Sequence, residues 1–487
     1  MSQKNNRTGF WNMLDNLEGD KVIWTIVFLL MMISILAISS STSLMAIAKG
    51  TSRLTYISGQ VGLCIIGMGV IIGCYYIGKI GIFWIFSRYG FLLSFLMTAF
   101  VACHITFIPG IKASTINHTW RCISVFGLQL HVFEFAKIFM VMYISWAMEA
   151  IRTGQTTMAD ELGKLKHLEY LKTKNGKYLF YVILPIIIIS ALILPGSNTS
   201  AIFTGGILFI TALIGGLPMK HVLALGTACI IGFAAIFGLY KATGWPERMS
   251  TFESRLQDKN WLEQLGQLKP GTLEFQKILD KSKQPISAKI AVSEGGWLGK
   301  GPGQSTQRYV TAVMYEDYMF SFIVEEYGIA GAIVILLIYG SLLSRGSTIV
   351  RNCDNRYART MIAGLVILIS LQAMLHICVN VDIGPLTGQT LPMISHGKSS
   401  FIAFCLAFGV ILSISKMAKR KIAREAAKAE PLVDRAIKDE VSSGLDDLDQ
   451  MESGLSARDS EFTGQDEEVP VHENDIPDYG IDDHNNE

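Results

Sequence analysis

Long apolar runs recur along most of the 487-residue chain and constrain its fold more than any other feature. A helix needs about 20 mostly apolar residues to cross roughly 30 Å of hydrocarbon. The predicted fold class is an all-α polytopic membrane protein, with one large loop between the seventh and eighth helices. Runs of sufficient length predict ten transmembrane helices, at residues 22–41, 56–77, 88–108, 132–151, 178–195, 199–216, 221–240, 317–342, 360–381 and 398–416.

Basic residues in the connections orient these predicted helices. Segments 152–177, 345–359 and 416–428 are rich in Lys and Arg, and the positive-inside rule places such segments in the cytoplasm. Ten helices then put both termini in the cytoplasm and the large loop, 241–316, on the outer face. Loops longer than about 60 residues translocate largely regardless of charge, so the basic character of this loop does not conflict with that orientation.

The formal net charge of +1 conceals an acidic tail. Residues 430–487 contain nineteen acidic and three basic side chains, so the rest of the chain carries a charge near +17. The tail has too few apolar residues to form a core, and we expect it to be disordered. The predicted domains are a cytoplasmic segment 1–21, a membrane domain 22–416, and a cytoplasmic tail 417–487 that is first basic and then acidic.

Several carboxylates stand where the large loop enters the eighth predicted helix. Glu316, Asp317, Glu325 and Glu326 lie within eleven residues. A charge at this depth costs about 3 kcal/mol, so it is usually kept because it faces a cavity or a partner. A solvated interfacial turn is the alternative for Glu316 and Glu325. Asp317, beside aromatic residues at the membrane edge, is the better candidate for a general base.

Polar residues also lie inside two predicted helices. Glu134 and Lys137 are three apart on one face of the fourth helix and can neutralise each other, which favours a structural ion pair. Gln372, His376 and Asn380 form a polar stripe on the ninth helix. Such a stripe joins helices or lines a groove, and we favour the first role.

Two loop segments have compositions suited to binding. The glycine-rich run 295–303 would allow the backbone to approach a ligand closely, or would form a flexible turn. Segment 385–400 is broken by Pro and Gly before the tenth helix, and such backbone is tolerated near a membrane where it lines a cavity. Ser395, Lys398 and Ser399 could hold a phosphate at this helix start.

These segments carry a family resemblance. Segment 385–400 resembles the P-x-T-G-x-x-L-P-x-x-S-Y-G-G-S-S signature of the FtsW/RodA (SEDS) peptidoglycan glycosyltransferases. The run 295–303 resembles the glycine-rich motif of that family, and residues 316–331 resemble T-D-F-I-F-x-x-x-x-E-E-x-G-x-x-G. Residues 131–137 resemble Q-P-S-E-F-A-K in part. The resemblance covers roughly residues 22–416 and is greatest to a divergent FtsW.

The chain departs from the family pattern at three places. His131-Val132-Phe133 replaces Q-P-S, Gly196 stands where P-D-x-G-T has its aspartate, and Lys398 replaces a signature glycine. The missing aspartate puts any role of the loop after the fifth helix in doubt. Because the resemblance keeps Asp317, we favour a divergent lineage over lost activity.

The resemblance implies polymerisation of lipid II, with Asp317 as the essential aspartate and undecaprenyl pyrophosphate as the leaving group. Cations would stabilise that pyrophosphate. The candidates for this role are Arg248, Lys289 and Lys300, and the alternative for each is an ordinary solvated charge of the loop. A divalent cation, Mg²⁺ or Mn²⁺, could stabilise the pyrophosphate instead. The expected substrate-binding or cavity residues are Glu134, Lys137, Arg248, Lys289, Lys300, Gln307, Glu326, Ser395, Lys398 and Ser399.

The resemblance also implies partners and a location. We expect lipid II, membrane lipids, a class B penicillin-binding protein (an FtsI-like transpeptidase) and other divisome proteins, and no nucleic acid. The expected location is the bacterial inner membrane at the division septum. The alternatives are a lipid II flippase that uses the polar residues inside the membrane, an elongation-type polymerase similar to RodA, and a noncatalytic scaffold.

Overall fold

The computed structural model describes residues 18–42, 46–47, 50–116, 119–243, 261–310, 314–384 and 387–420. Most of the predicted cytoplasmic segment 1–21 and nearly all of the predicted tail 417–487 lie outside these residues. Arg248 also lies outside them. The predictions made for these three parts of the chain therefore stay predictions.

Helices occupy the positions of all ten predicted spans within the described residues. By length and composition, seven of these helices could cross a membrane: α1, α2, α3, α6, α11, α12 and α13 in the numbering that follows. The all-α polytopic fold is thereby confirmed. In chain order the helices are α1 Lys21–Ser41, α2 Arg53–Ile77, α3 Ile80–Ala102, α4 Val132–Thr153, α5 Thr157–Leu162, α6 Lys174–Ile193, α7 Asn198–Ile214, α8 Met219–Thr243, α9 Trp261–Gln267, α10 Leu273–Gly295, α11 Met319–Arg351, α12 Arg356–Asn380 and α13 Lys398–Arg420.

The other three predicted spans coincide with α4, α7 and α8. Helix α7 has 17 residues, a little short for a span. Helix α4 contains two acidic and two basic side chains, so its composition is less apolar than that of its neighbours. Its residues are nevertheless mostly buried by other helices. It is therefore an internal helix of the bundle, where charged side chains find protein partners instead of lipid.

A small antiparallel sheet precedes α4, and the sequence analysis did not predict it. The predicted third span, 88–108, has wrong limits, because α3 begins at Ile80 and ends at Ala102. β-branched residues alternate with polar ones in the segment that follows, and this pattern suits strands better than a helix. The strands are β1 Ile111–Ile116, β2 Thr119–Val125 and β3 Leu128–His131, in the order β1-β2-β3.

The large loop is more ordered than its composition indicates. In its described part, Trp261–Gln267 form the short helix α9. The 23-residue helix α10 was not expected, because it is rich in charge and contains Pro285, a residue that normally interrupts a helix. Helix α10 leads directly into the glycine-rich run.

Contacts between helices define the two ends of the bundle. At one end Asp20 caps α1 and pairs with Arg345 of α11, with 2.7 Å between Oδ2 and Nη2, and its backbone N–H donates to Ser415 Oγ of α13 at 2.9 Å. At the opposite end the backbone N–H of His131, before α4, donates to Ser399 Oγ at the start of α13 at 3.0 Å. The final residues of α4, α11 and α13 therefore lie at one end of the bundle, here called the basic end after the Lys- and Arg-rich segments 152–177 and 345–359.

Candidate active site

Asp317 lies in the turn that precedes α11, at the end opposite the basic end. The side chain is half-buried. Asn380 Nδ2, from the end of α12, donates to the backbone carbonyl of Asp317 at 3.1 Å, and Ser395 Oγ donates to the carbonyl of Glu316 at 2.8 Å. Both bonds hold main-chain oxygens, so they fix the position of the turn that carries the candidate base.

A third contact closes the turn against the segment before α13. The backbone N–H of His396 donates to the carbonyl of Tyr315 at 2.9 Å, and the two rings meet edge to face at 5.5 Å. Burial raises the pKa of Glu316 to about 7, and the neighbouring charge of Asp317 adds to the increase. Near neutral pH the turn therefore carries one carboxyl group that is easily protonated beside the candidate base.

The polar stripe on α12 holds the turn and the segment before α13 together. His376 Nδ1–H donates to the carbonyl of Gln389 at 2.7 Å, and its Nε2 accepts from the backbone N–H of Phe320 at 3.4 Å. Asn380 Oδ1 accepts the backbone N–H of Ser321 at 2.9 Å. The first N–H groups of α11 thus find partners on α12, which confirms that the stripe joins helices.

A buried ion pair stands deeper between the helices. Lys137 is 1% exposed, and its Nζ donates to Glu134 Oε1 at 2.8 Å, Gln372 Oε1 at 2.6 Å and Gln389 Oε1 at 3.1 Å. All three protons of the ammonium group therefore have acceptors. Gln389 in turn donates to Ser200 Oγ of α7 at 2.8 Å. The predicted pair is confirmed, and it links α4, α7 and α12 to the segment before α13.

The sequence did not predict that Gln389 and Ser200 belong to this hydrogen-bond network. Gln389 lies inside the segment that resembles the family signature, and that position was the available signal. Ser200 is one of several small polar residues near the start of α7, and nothing in the sequence distinguishes it. Their roles depend on contacts between residues about 190 positions apart.

The carboxylates of α11 beyond the turn bind the glycine-rich segment. Glu325 is fully buried, and its oxygens accept from Lys300 Nζ at 2.8 Å, the backbone N–H of Thr306 at 2.8 Å and Ser305 Oγ at 2.5 Å. The solvated-turn alternative for Glu325 is thus wrong. Gln307 is also buried, and its backbone N–H donates to the same carboxylate at 3.3 Å.

Glu326 has a comparable internal position. It is fully buried, and its Oε1 accepts from Ser40 Oγ of α1 at 2.5 Å and from the backbone N–H of Gly303 at 3.0 Å. Arg308, which the sequence analysis did not single out, lies 4.0 Å away. The structure therefore places Lys300, Gln307 and Glu326 in a cluster that joins the glycine-rich segment to α11, and their role in substrate binding stays a prediction.

The glycines of this segment allow its backbone to approach α11 closely, and a ligand-binding role of the segment stays a prediction. Gly328 interrupts α11 with φ +66°, and the backbone N–H of Ile329 donates to the carbonyl of Gly296 at 2.9 Å. A Cβ at Gly299 would lie 2.2 Å from the carbonyl oxygen of Glu326. Backbone contact at this distance excludes any side chain, so the two motifs form one structural unit.

The remaining candidates lie on the surface or hold other elements. Lys289 of α10 pairs with Asp382 after α12 at 2.7 Å, and both side chains are exposed. Lys398, the first residue of α13, is exposed. Ser399 is buried and accepts the bond from His131. Among the described residues, no group of three or more His, Cys, Asp and Glu side chains could hold a metal ion.

Comparisons with known proteins agree with this geometry. The family model for the cell cycle proteins FtsW, RodA and SpoVE matches residues 20–420. The chain is 25% identical over 405 residues to stage V sporulation protein E of Bacillus subtilis, covering 82% of this chain and 98% of the relative. It is 24% identical over 405 residues to the probable peptidoglycan glycosyltransferase FtsW of Saccharophagus degradans, with coverages of 82% and 93%.

A solved structure shares the fold. The crystal structure of the rod shape determining protein RodA of Thermus thermophilus matches with a TM-score of 0.51 and 17% identity. The match covers 82% of this chain and 98% of the other. The family match, over residues 20–420, spans the described helices from α1 to α13.

Proposed function

The chain belongs to the FtsW/RodA/SpoVE family of cell cycle proteins, and we propose that it is a peptidoglycan glycosyltransferase that polymerises lipid II during cell division. The observation that carries this proposal is the turn before α11. Asn380 of α12 and Ser395 of the segment before α13 hold its backbone, so two distant parts of the chain support the position of Asp317.

In the proposed reaction, Asp317 acts as the general base. The 4-hydroxyl of one lipid-linked disaccharide attacks the anomeric carbon of another, and its proton passes to the Asp317 carboxylate. The bond from the anomeric carbon to the phosphate oxygen breaks, and undecaprenyl pyrophosphate leaves with that electron pair. A positioned base contributes about 10² to 10⁴ to the rate of such a step.

Among the candidate cations in the described part of the chain, Lys398 and Lys289 are the ones best placed to contact the leaving pyrophosphate. Lys398 starts α13 only three residues after Ser395, which bonds the Asp317 turn. A helix N-terminus favours a phosphate, and a lysine there adds charge. Lys289 is the second candidate, because its partner Asp382 is exposed and such a pair costs little to break. Lys300 is less suited, because it neutralises the buried Glu325.

The orientation of the bundle supports chemistry on the outer face. The basic end carries the connections that the positive-inside rule assigns to the cytoplasm. Asp317 is at the opposite end, which would then meet lipid II outside the cytoplasmic membrane. We propose that both termini are cytoplasmic, that the protein acts at the septum, and that a class B penicillin-binding protein cross-links its product with other divisome proteins nearby.

The flippase is the alternative function. It would depend on polar residues inside the bundle, and the Glu134–Lys137 pair is the strongest candidate for such a path. However, every proton of Lys137 already has an acceptor, which favours a fixed wall over a moving relay.

The deciding experiment is lipid II polymerisation by purified protein with its transpeptidase partner. Asp317→Ala and Asp317→Asn should abolish glycan strands at equal folded yield. Asp280→Asn, an exposed acid on α10 at the same end, is the matched control and should leave the rate unchanged. Polymer from both Asp317 variants would remove this residue as base. Lipid translocation without polymer by the unaltered protein would instead favour the flippase.

A further inference from the structure

The connection between α4 and α6, at the basic end, contains an ordered apolar row. Its backbone turns every three residues: the N–H groups of Leu165, Leu168 and Leu171 donate to the carbonyls of Leu162, Leu165 and Leu168 at 3.1, 2.9 and 2.9 Å. The four leucines therefore stand at successive turn positions of one ordered segment, and they are here called the leucine row.

The middle of this row faces outward. Leu162 and Leu171 are partly buried, whereas Leu165 is 57% and Leu168 39% exposed. Tyr170, at 55%, and Met158, at 66%, extend the same kind of surface on either side. A contiguous apolar surface on a folded segment marks a site of contact with another apolar phase.

The exposure does not come from a loosely packed loop. The backbone of the segment is closely packed, since a Cβ at Gly176 would lie 2.1 Å from the carbonyl oxygen of Tyr170. The backbone N–H of Ala159 also donates to Tyr181 Oη at 3.2 Å. Tyr181 stands about two turns inside α6, so this bond folds the connection back alongside the helix end. The leucine row is thereby held beside the end of α6, a helix long and apolar enough to cross a membrane.

Cations accompany the row. Asp160 pairs with Lys177 at 2.7 Å and Glu161 with Lys164 at 2.7 Å, so these charges are neutralised within the segment. The exposed charges that remain are three lysines and one acid, namely Lys166, Lys172, Lys174 and Glu169. A surface that combines exposed leucines with an excess of lysine has the composition of an interfacial element.

We propose that residues 158–174 form an anionic-lipid-binding surface: the leucine row enters the headgroup region of the adjacent leaflet, and Lys166, Lys172 and Lys174 contact the phosphates of acidic phospholipids. A lipid surface accounts for both properties of the segment, whereas a soluble acidic partner would account for its charge alone. Both chain ends of the segment continue into helices of the bundle, so the contact requires no movement of the protein.

The test uses the full-length protein in nanodiscs of phosphatidylcholine with or without phosphatidylglycerol. A spin label at Leu165→Cys, in a Cys103→Ser and Cys378→Ser background, reports collisions with oxygen and with a water-soluble nickel chelate. Asn352→Cys, exposed in the connection between α11 and α12 at the same end, is the matched control. We expect oxygen collisions to dominate at residue 165 when phosphatidylglycerol is present, and nickel collisions to dominate at residue 352.

A second measurement addresses the lysines. Native mass spectrometry of the purified protein should show phosphatidylglycerol retention falling about fivefold for each of Lys166, Lys172 and Lys174 replaced by Gln, with unchanged thermal unfolding. Domination by nickel collisions at residue 165 in both lipid mixtures would overturn the proposal. Protection of residue 165 only in native membrane vesicles would overturn it in favour of a protein partner. Equal retention by the lysine variants would overturn it as well.

Discussion

Replacing Lys137 by Met removes an ammonium group from the most buried polar network of the bundle while keeping a similar apolar stem. The substitution leaves the Glu134 carboxylate without its cation and two glutamine oxygens without a donor. Removing one partner of a buried pair costs about 3–5 kcal/mol, and each unsatisfied amide oxygen adds about 1 kcal/mol. The Glu134 side chain is 12% exposed, so water offsets part of this cost, and we expect a loss of about 4 kcal/mol.

The double variant Glu134→Gln with Lys137→Met separates the charge from the packing. It contains no buried uncompensated charge, so its loss of unfolding free energy should be smaller than that of Lys137→Met alone by about 2 kcal/mol. Unfolding in mixed micelles with increasing dodecyl sulfate measures each value. Lys164→Met is the matched control, because Lys164 also pairs with an acid three residues before it, Glu161, but on an exposed surface.

Two outcomes would refute this reasoning. A loss below about 1 kcal/mol for Lys137→Met would mean that the network does not stabilise the bundle. A double variant whose loss equals the sum of the two single losses would mean that the two charges are not coupled. The control should change little, because exposed pairs contribute little to stability.

Three further predictions concern the turn and the glycine-rich segment. Burial raises the pKa of Glu316 from 4.5 to about 7, so between these pH values the folded state binds a proton that the unfolded state has lost. The unfolding free energy should therefore fall as the pH rises from 4.5 to about 7. Thermal unfolding measured across this pH range should show a flatter dependence for Glu316→Gln. Gly299→Ala should lower the melting temperature sharply, because its Cβ would clash with the carbonyl oxygen of Glu326. Gly301→Ala, also at positive φ, should lower it less, because its Cβ would lie 3.8 Å from the nearest atom. Equal decreases for the two variants would mean that the positive φ alone causes the effect. Asn380→Leu should reduce the polymerisation rate about 10²-fold with KM nearly unchanged, because it loosens the Asp317 turn; an unchanged rate would contradict that positioning role.

The helices were predictable because a membrane span depends mainly on the length of an apolar run. The limits of α3 were wrong because Arg88, at which the predicted span begins, lies inside the helix, and residues 103–108 follow its end. The sheet before α4 was missed because it depends on pairing between strands. Helix α10 was missed because its charge and Pro285 argue against a helix, whereas packing against the bundle stabilises it. Local pattern cannot supply that tertiary contribution.

The candidate site was predictable in its residue types but not in its partners. Asp317 stood out as an acid at a membrane edge, yet the bond that holds its turn comes from Ser395, 79 residues beyond Glu316. Lys300 and Glu326 were named for binding because their charges were visible in the sequence. Only the fold shows that Glu325 and Ser40 engage them.

The departures from the family pattern at Phe133 and Gly196 are physically linked. A Cβ at Gly196 would lie 2.4 Å from the Phe133 ring, so an aspartate at that position would not fit beside this phenylalanine. Arg121 Nε donates to the Gly196 carbonyl at 3.0 Å, which holds the backbone at this position. These two departures lie at the start of α4 and in the loop before α7, whereas the Asp317 turn is held by α12 and the segment before α13. The two departures from the family pattern therefore lie in the wall beside Glu134 and not among the contacts that hold the turn of the proposed base.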